Sequence, residues 1–427
     1  MHRRRVTLVL LTTALFFAFL DRQIISILLE PIKNDLSLND TQLGLISGMA
    51  FAIFYSTLGL PISRLADRYN RINIISISMV IWSMMTALGG FAQNFTHLFL
   101  SRIGVGMGEA GGGPPAHSII SDLYPPQQRA GAMTIYFLGV ILGAGFGTMI
   151  GGYIASLYGW RVALIAVGLP GILVAIVLKL FAVEPVRGKS EPDAKVVPSN
   201  EGTSIIAGTA IFVKSPIARH LLIAVTITSV VELAIATFLP AFFIRSFGVA
   251  ISDVGLLLGL TIMSAGIMSS LAIAFSVNFL AKRYGIFAQA YLVFFIKVLA
   301  FPLLVLMYLA DSFHSALLFY AVATLIQAGF VGPVFALIQN QAPLEYRATW
   351  AAFTMFSINL VGFGLGPLAV GLLSDFYRAT QEHESLRYAC LTVCAVYPWA
   401  IWHYWRAAIL LKNETNSASL TVREKLT

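Results

Sequence analysis

Apolar residues run through this chain in long stretches, separated by short polar segments. Twelve such stretches are legible, at about 6–29, 41–62, 72–92, 96–118, 131–156, 161–181, 218–244, 252–276, 286–309, 314–338, 348–373 and 386–411. A helix needs about 20 mostly apolar residues to cross the hydrocarbon core of a bilayer. Each stretch therefore predicts one spanning helix. The first is expected to be a true span rather than a cleaved leader. Only His2 to Arg5 precede it within the sequence, it is too long for a leader's apolar core, and no small-residue cleavage site follows.

The longest polar segment lies between the sixth and seventh stretches. Residues 184–203 are rich in Pro, Gly, Ser and charge, which is linker composition. It divides the chain into residues 1–183 with six spans, a linker region 184–215, and residues 216–427 with six more. Residues 203–214 fit either a short amphipathic helix on the membrane surface or a loosely packed loop.

Composition agrees with lipid as the solvent. The chain is 58% hydrophobic and 11% charged, with mean hydropathy +0.81. Soluble domains run about 45–50% apolar and about 25% charged. A net charge of +8 therefore does not indicate a nucleic-acid binder. Two cysteines, Cys390 and Cys394, make no disulfide framework and share a face suited to apolar packing. Positive charge sets the orientation. With both termini inside, 20 of the 28 Lys and Arg fall in inner segments and five in outer ones. This predicts a multi-pass protein of the cell (inner) membrane with cytoplasmic termini.

The halves repeat. Leu65 to Asn70 (LADRYN) matches Leu280 to Gly285 (LAKRYG) at an offset of 215. Pro125 to Arg129 (PPQQR) matches Pro343 to Arg347 (PLEYR) at 218, and Gly143, Gly145, Gly147 and Gly152 match Gly362, Gly364, Gly366 and Gly371 at 219. Parallel repeats related by an axis along the membrane normal belong to secondary transporters, whose substrate site lies near the midplane.

Arg64 to Arg71 (RLADRYNR) resembles the loop signature of the major facilitator superfamily, G-x-L-A-D-R-x-G-R, with Ser63 and Asn70 standing for the glycines. The glycines of the fifth span resemble that superfamily's antiporter motif, with Thr148 in place of its proline. Asp21-Arg22, Leu60 to Ser63, Arg102 to Ala110 (RIGVGMGEA) and Gly159-Trp160-Arg161 together resemble the bacterial branch of the spinster family. The resemblance implies an all-α membrane fold of twelve helices in two pseudo-symmetric six-helix bundles. It implies proton-linked movement of amphiphilic lipids such as lysophospholipids or sphingosine-phosphate-like molecules, by a chain that works as a monomer. An Asp-Arg pair in the first span also occurs in an organic-anion symporter family, so small organic anions are the second substrate reading.

Charges inside the membrane are costly, at least about 2.5–3.5 kcal/mol each on insertion scales, and mark functional sites. Arg102 and Glu109 share a helix face about 10 Å apart along the axis. Asp21 and Glu109 lie about 12 and 18 Å from the outer ends of their spans, at 1.5 Å per residue. In the superfamily fold both spans line the central cavity. Burial disfavours a charged carboxylate and a neighbouring arginine favours it, a competition suited to proton coupling. Asp21 and Glu109 are thus the expected proton carriers, with Arg22 and Arg102 as candidates for an anionic substrate group. A permanent salt-bridge cluster of the four is the bland alternative. Glu232 sits mid-span in the seventh helix, as a substrate contact, a second proton site or a packing hydrogen bond. Gln327 is a weaker substrate-binding candidate, and Lys297 has no role assigned. The resemblance implies gating by Asp67, Arg68 and Arg71; topological positive charge alone is the other reading.

Other motifs fail. Gly106 to Gly111 matches G-x-G-x-x-G but lies inside a lipid span, without the βαβ context a dinucleotide site needs. Gly188-Lys189-Ser190 resembles the end of a P-loop, but Val183 stands where its first glycine belongs. The seven histidines show no metal spacing, and His117 is a minor candidate for proton relay. No cofactor, metal or enzymatic activity is expected, and the expected partners are substrate, protons and membrane lipids.

Overall fold

The computed structural model describes residues 2–187, 205–381 and 384–424. Most of the polar segment, residues 188–204, lies outside the described residues, as does the P-loop-like Gly188-Lys189-Ser190. The described residues form helices joined by short turns, with no strand among them.

Helices α1 (His2–Leu36), α2 (Asp40–Gly44), α3 (Ala50–Arg68) and α4 (Arg71–Gly89) cover the first three predicted spans, with a π-helical turn, Leu45–Met49, joining α2 to α3. A capping box starts α2. The Asn39 side chain accepts from the Gln42 amide at 2.8 Å, and the Gln42 side chain accepts from the Asn39 amide at 3.0 Å. The fourth stretch is two helices, α5 (Phe95–Glu109) and α6 (Gly113–Leu123). The run Gly111 to Pro115 explains the break. Prolines supply no amide donor, and the chain restarts with proline in the first turn of α6.

Helix α7 (Pro126–Phe181) carries the fifth and sixth stretches and breaks at Gly159, whose φ of 82° is one a side chain rarely adopts. Then come α8 (Ile205–Lys214), α9 (Pro216–Phe247), α10 (Ile251–Tyr284) and α11 (Phe287–Leu309). The tenth stretch is again broken, into α12 (Phe313–Gln327) and α13 (Val331–Gln341). The eleventh is α14 (Arg347–Phe356), a π-helical segment Ser357–Leu365, and α15 (Gly366–Tyr377). The last is α16 (Ser385–Cys394) and α17 (Tyr397–Glu424). Each predicted stretch is thus occupied by helix. Among the described residues nine helices are long and apolar enough to cross a membrane, and the one at Gln127–Phe181 holds two spans. Large apolar side chains lie bare on their outsides, Phe275 at 73% and Phe376 at 74% exposure, as lipid-facing surfaces require.

Packing groups the chain into two units that cut across the sequence halves. The first comprises Met1–Ser199, Ala234–Met263 and Phe363–Ala389; the second comprises Asn200–Leu233, Ser264–Gly362 and Cys390–Thr427. In the first, small residues bring segments of both halves together, as they do in lipid. A Cβ on Gly145 would stand 2.9 Å from the Gly259 carbonyl oxygen, and one on Gly44 would stand 2.5 Å from that of Pro367. A core runs through Leu11, Phe51, Met79, Trp82, Ile120 and Tyr136. In the second unit, Phe212, Val225, Val334, Leu337, Trp350 and Tyr404 form the core. Here α8 is a docked helix rather than a loop. Phe212 is fully buried with its ring 4.4 Å from that of Trp350, whose indole donates to the Gly208 carbonyl at 3.1 Å.

Candidate functional site

The break after Glu109 places that carboxylate at the end of α5, inside the first unit. Asp21 and Arg22 are consecutive on α1 and point to different partners. Arg22 Nε donates to Glu109 Oε2 at 2.5 Å. Its guanidinium lies over the rings of Phe51 and Tyr55, 4.6 Å from each centroid, and 4.9 Å from that of Phe19. Asp21 Oδ2 instead accepts from the Thr86 hydroxyl on α4 at 3.1 Å. Asp21, Arg102 and Glu109 are each buried to within 3% exposure.

This cluster is incompletely satisfied. Asp21 Oδ1, Glu109 Oε1 and Arg102 Nε and Nη2 have no hydrogen-bond partner among the described residues. Arg102 faces the ring of Phe51 at 5.8 Å. Four formal charges therefore share one buried region with a single direct ion pair and several vacant valences. Unpaired buried polar atoms are costly, and in this cluster two are acceptors on carboxylates and two are donors on Arg102.

Two further predicted residues meet in the second unit. Lys297, fully buried on α11, donates to Glu232 Oε1 at 2.6 Å and to Gln327 Oε1 at 3.3 Å. The Tyr397 hydroxyl on α17 lies 2.8 Å from both of those oxygens. Sequence reasoning left Lys297 without a role. Its partner is 65 residues away, and only packing reveals it.

The loop signature divides. Asp67 and Arg68 stand exposed in the last turn of α3. Arg71 is buried at the start of α4. It donates to Glu184 at 2.6 Å, to Asp122 at 2.5 Å, to Ser118 at 2.8 Å and to the Pro185 carbonyl at 2.9 Å. Glu184 also accepts from the Ile72 amide at 3.1 Å. Arg71 thus ties α4 and α6 to the segment leaving α7. Arg187 caps α3 through the carbonyls of Ala66 and Tyr69, at 2.7 and 2.8 Å.

A third polar cluster went unforeseen. Near the C-terminal end of α1, Arg245 on α9 donates to Glu30 at 2.5 Å and to both oxygens of Asp40 at 2.8 Å. Asp40 also accepts from Lys33 and from Ser374, both at 2.7 Å. Asp375 on α15 accepts from the amides of Asp40 and Thr41 at 3.0 and 2.8 Å, holding the N-terminus of α2. The sequence signal was charge flanking the ends of four spans.

Among the described residues no group of three or more potential metal ligands gathers. His220 and His403 approach to 2.7 Å through Nδ1, and His117 packs edge-on against Tyr136 and Phe137. Cys390 and Cys394 are buried and unbridged.

Broken membrane helices that carry buried charge at their breaks define a class: carriers that bind solute within the bilayer. The match to known sequences agrees. The chain belongs to the Major Facilitator Superfamily, whose model matches residues 11–379. Family and fold are those of transporters, not enzymes, and the fold class is the expected all-α membrane one. A solved structure of a bacterial homolog of the human lysosomal transporter Spinster, inward-facing and unoccupied, superimposes with a TM-score of 0.84 at 27% identity, covering 95% of this chain and 97% of that one. An MFS-type efflux pump of Mycolicibacterium smegmatis is 30% identical over 377 residues, 88% of this chain and 86% of that protein. Protein spinster of Drosophila melanogaster is 34% identical over 174 residues, which is 40% of this chain and 28% of the fly protein. The likeness within the superfamily is therefore to spinster proteins.

Proposed function

We propose that this transporter moves amphiphilic lipids with an anionic head group, of the lysophospholipid or sphingosine-phosphate kind, and couples the movement to protons. The observation that carries this reading is the cluster of Asp21, Arg22, Arg102 and Glu109. Arg102 is buried with two nitrogens lacking partners, beside an Arg22–Glu109 pair of 2.5 Å. A phosphate or carboxylate fits those donors. Arginine keeps its charge throughout the physiological range, so Arg22 serves as the switch, passing between Glu109 and the substrate anion. Asp21 and Glu109 carry the proton, each having one oxygen without a partner. Likeness to a spinster homolog supports lipid as the substrate class.

Movement follows alternating access. The cluster around Arg245 and Asp40 bolts one end of the carrier, and its opening and closing alternate with those of the opposite end, where Asp67, Arg68 and Arg71 gate. By the distribution of Lys and Arg, the Arg245 end is the outer one and the termini are cytoplasmic, in the inner membrane of a cell. One chain suffices as the working unit.

The test is uptake of a labelled lysophospholipid into proteoliposomes, with and without an imposed pH gradient. Gradient-driven uptake that Asp21→Asn abolishes is the expected result. Unchanged pH dependence in both Asp21→Asn and Glu109→Gln would refute the coupling assignment. No uptake in either condition would move the substrate to small organic anions, held by the same arginines.

A further inference from the structure

Once Asp21, Arg22, Arg102 and Glu109 are assigned, a second charged network in the membrane is left over. Lys297 sits mid-helix in α11 with no exposed surface. An ammonium at such depth requires an anionic partner, and Glu232 supplies it at 2.6 Å. Lys297 Nζ also lies 3.1 Å from the centroid of the Phe330 ring, so the amine is enclosed on its other sides. The Tyr397 hydroxyl has one proton and two acceptors at 2.8 Å, Glu232 Oε1 and Gln327 Oε1, and donates to one at a time. Among the described residues Tyr320 and Tyr404 also lie near Glu232, and a phenol is ordinarily uncharged at neutral pH.

The network is asymmetric in access. The Glu232 side chain is 23% exposed and that of Lys297 is 0% exposed. Of the two, only the carboxylate reaches the surface. Both donors converge on Oε1, which leaves Oε2 as the presented oxygen. The position also repeats. Gln327 ends α12 as Glu109 ends α5, and it lies 218 residues on, at the offset of the PPQQR and PLEYR repeats. Each half thus sets a buried charge network at the break of the corresponding helix.

Charge conservation dictates what this network can do. A proton taken by Glu232 alone would leave Lys297 buried without a counter-charge. An anion arriving alone would crowd two negative groups onto one amine. The two events together keep the balance. We propose that Glu232 and Lys297 form a second coupling site, where an anionic head group takes Lys297 as Glu232 takes a proton. The proton passes from the medium to the Glu232 carboxylate, and no other bond is made or broken. The inference rests on the transport reading above but requires only an anionic group, lipid or not.

The test uses the full chain in nanodiscs, with octyl phosphate as the probe and octanol as its uncharged counterpart. Binding and proton uptake are recorded for wild type, for Glu232→Gln, and for the double variant Glu232→Gln with Lys297→Met. In wild type, preference for the phosphate should fall by up to about tenfold per pH unit as the linked proton is lost. The double variant should bind about one octyl phosphate fewer at saturation and lose the proton uptake linked to it, leaving only the share of the arginine cluster. Glu232→Gln alone should lower the thermal midpoint, and adding Lys297→Met should restore it, as relief of an uncompensated amine requires. A folded double variant with wild-type stoichiometry and proton count would overturn the inference. Absence of lysophospholipid uptake by wild type, with the octyl phosphate difference intact, would overturn the lipid reading and support this site.

Discussion

Arg245 is the residue whose loss should most clearly bias the carrier between its conformations. Its three charged hydrogen bonds, one to Glu30 and two to Asp40, join α9 to α1 and α2. The Asp40 side chain is only 2% exposed, and that of Arg245 is 14% exposed. Removing one partner of a buried pair costs about 3–5 kcal/mol, because the survivor is left without compensation. Asp40 retains Lys33 and Ser374, each at 2.7 Å, so the lower figure applies. About 3 kcal/mol corresponds to roughly a hundredfold change in an equilibrium constant. On the proposed alternating access, that loss falls on the state with this end bolted and spares the state with it open. Arg245→Ala should therefore move the population toward the open form by about two orders of magnitude. Spin labels at Asn34 and Ala250, both exposed positions beside the cluster, report it as a longer-distance component in a pulsed dipolar measurement. Arg245→Lys keeps the charge but loses the two-pronged contact with Asp40, and should fall between wild type and alanine. A folded Arg245→Ala protein with the wild-type distance distribution would refute the reasoning.

Three other outcomes follow from the packing of the helices. Gly143→Ala would place a Cβ 2.3 Å from the Phe16 carbonyl oxygen, forcing α7 from α1; a loss of about 1–3 kcal/mol should appear as a lower midpoint in thermal unfolding. Arg22→Lys keeps the charge but gives up the planar stack on Phe51 and Tyr55; uptake should fall at least tenfold while size-exclusion profiles stay normal. Trp350→Phe removes the hydrogen bond to the Gly208 carbonyl, worth about 1 kcal/mol; α8 should loosen from α14, seen as faster limited proteolysis near Lys214.

Much of the fold was legible because its signals are local. Length and hydropathy mark the spans, since lipid demands helices with every backbone group paired within the segment. Gly159 marks the break inside α7, and the Gly111 to Pro115 run marks the break after Glu109, because backbone conformation at glycine and proline depends on the residue itself. That Asp21 and Glu109 lie within apolar stretches was equally legible, and both are buried in the first unit.

Partner choice was not legible. Arg22 follows Asp21 in sequence yet pairs with Glu109, 87 residues away, because consecutive residues on a helix point about 100° apart. The motif that suggested a gate at Arg71 did not name its partners, Glu184 and Asp122, which tie α4 and α6 to the exit of α7. Lys297 had no role assigned until packing brought Glu232, Gln327 and Tyr397 together around it. Arg245, Asp40 and Asp375 read as ordinary flanking charge until α2, α9 and α15 met. By itself the sequence determined that the chain spans the membrane, where its helices break and which charges fall within apolar stretches, since hydropathy and backbone preference act within a segment. Tertiary structure alone decided which charges neutralise one another, since that depends on how each helix is rotated and how closely its small residues let the next one approach.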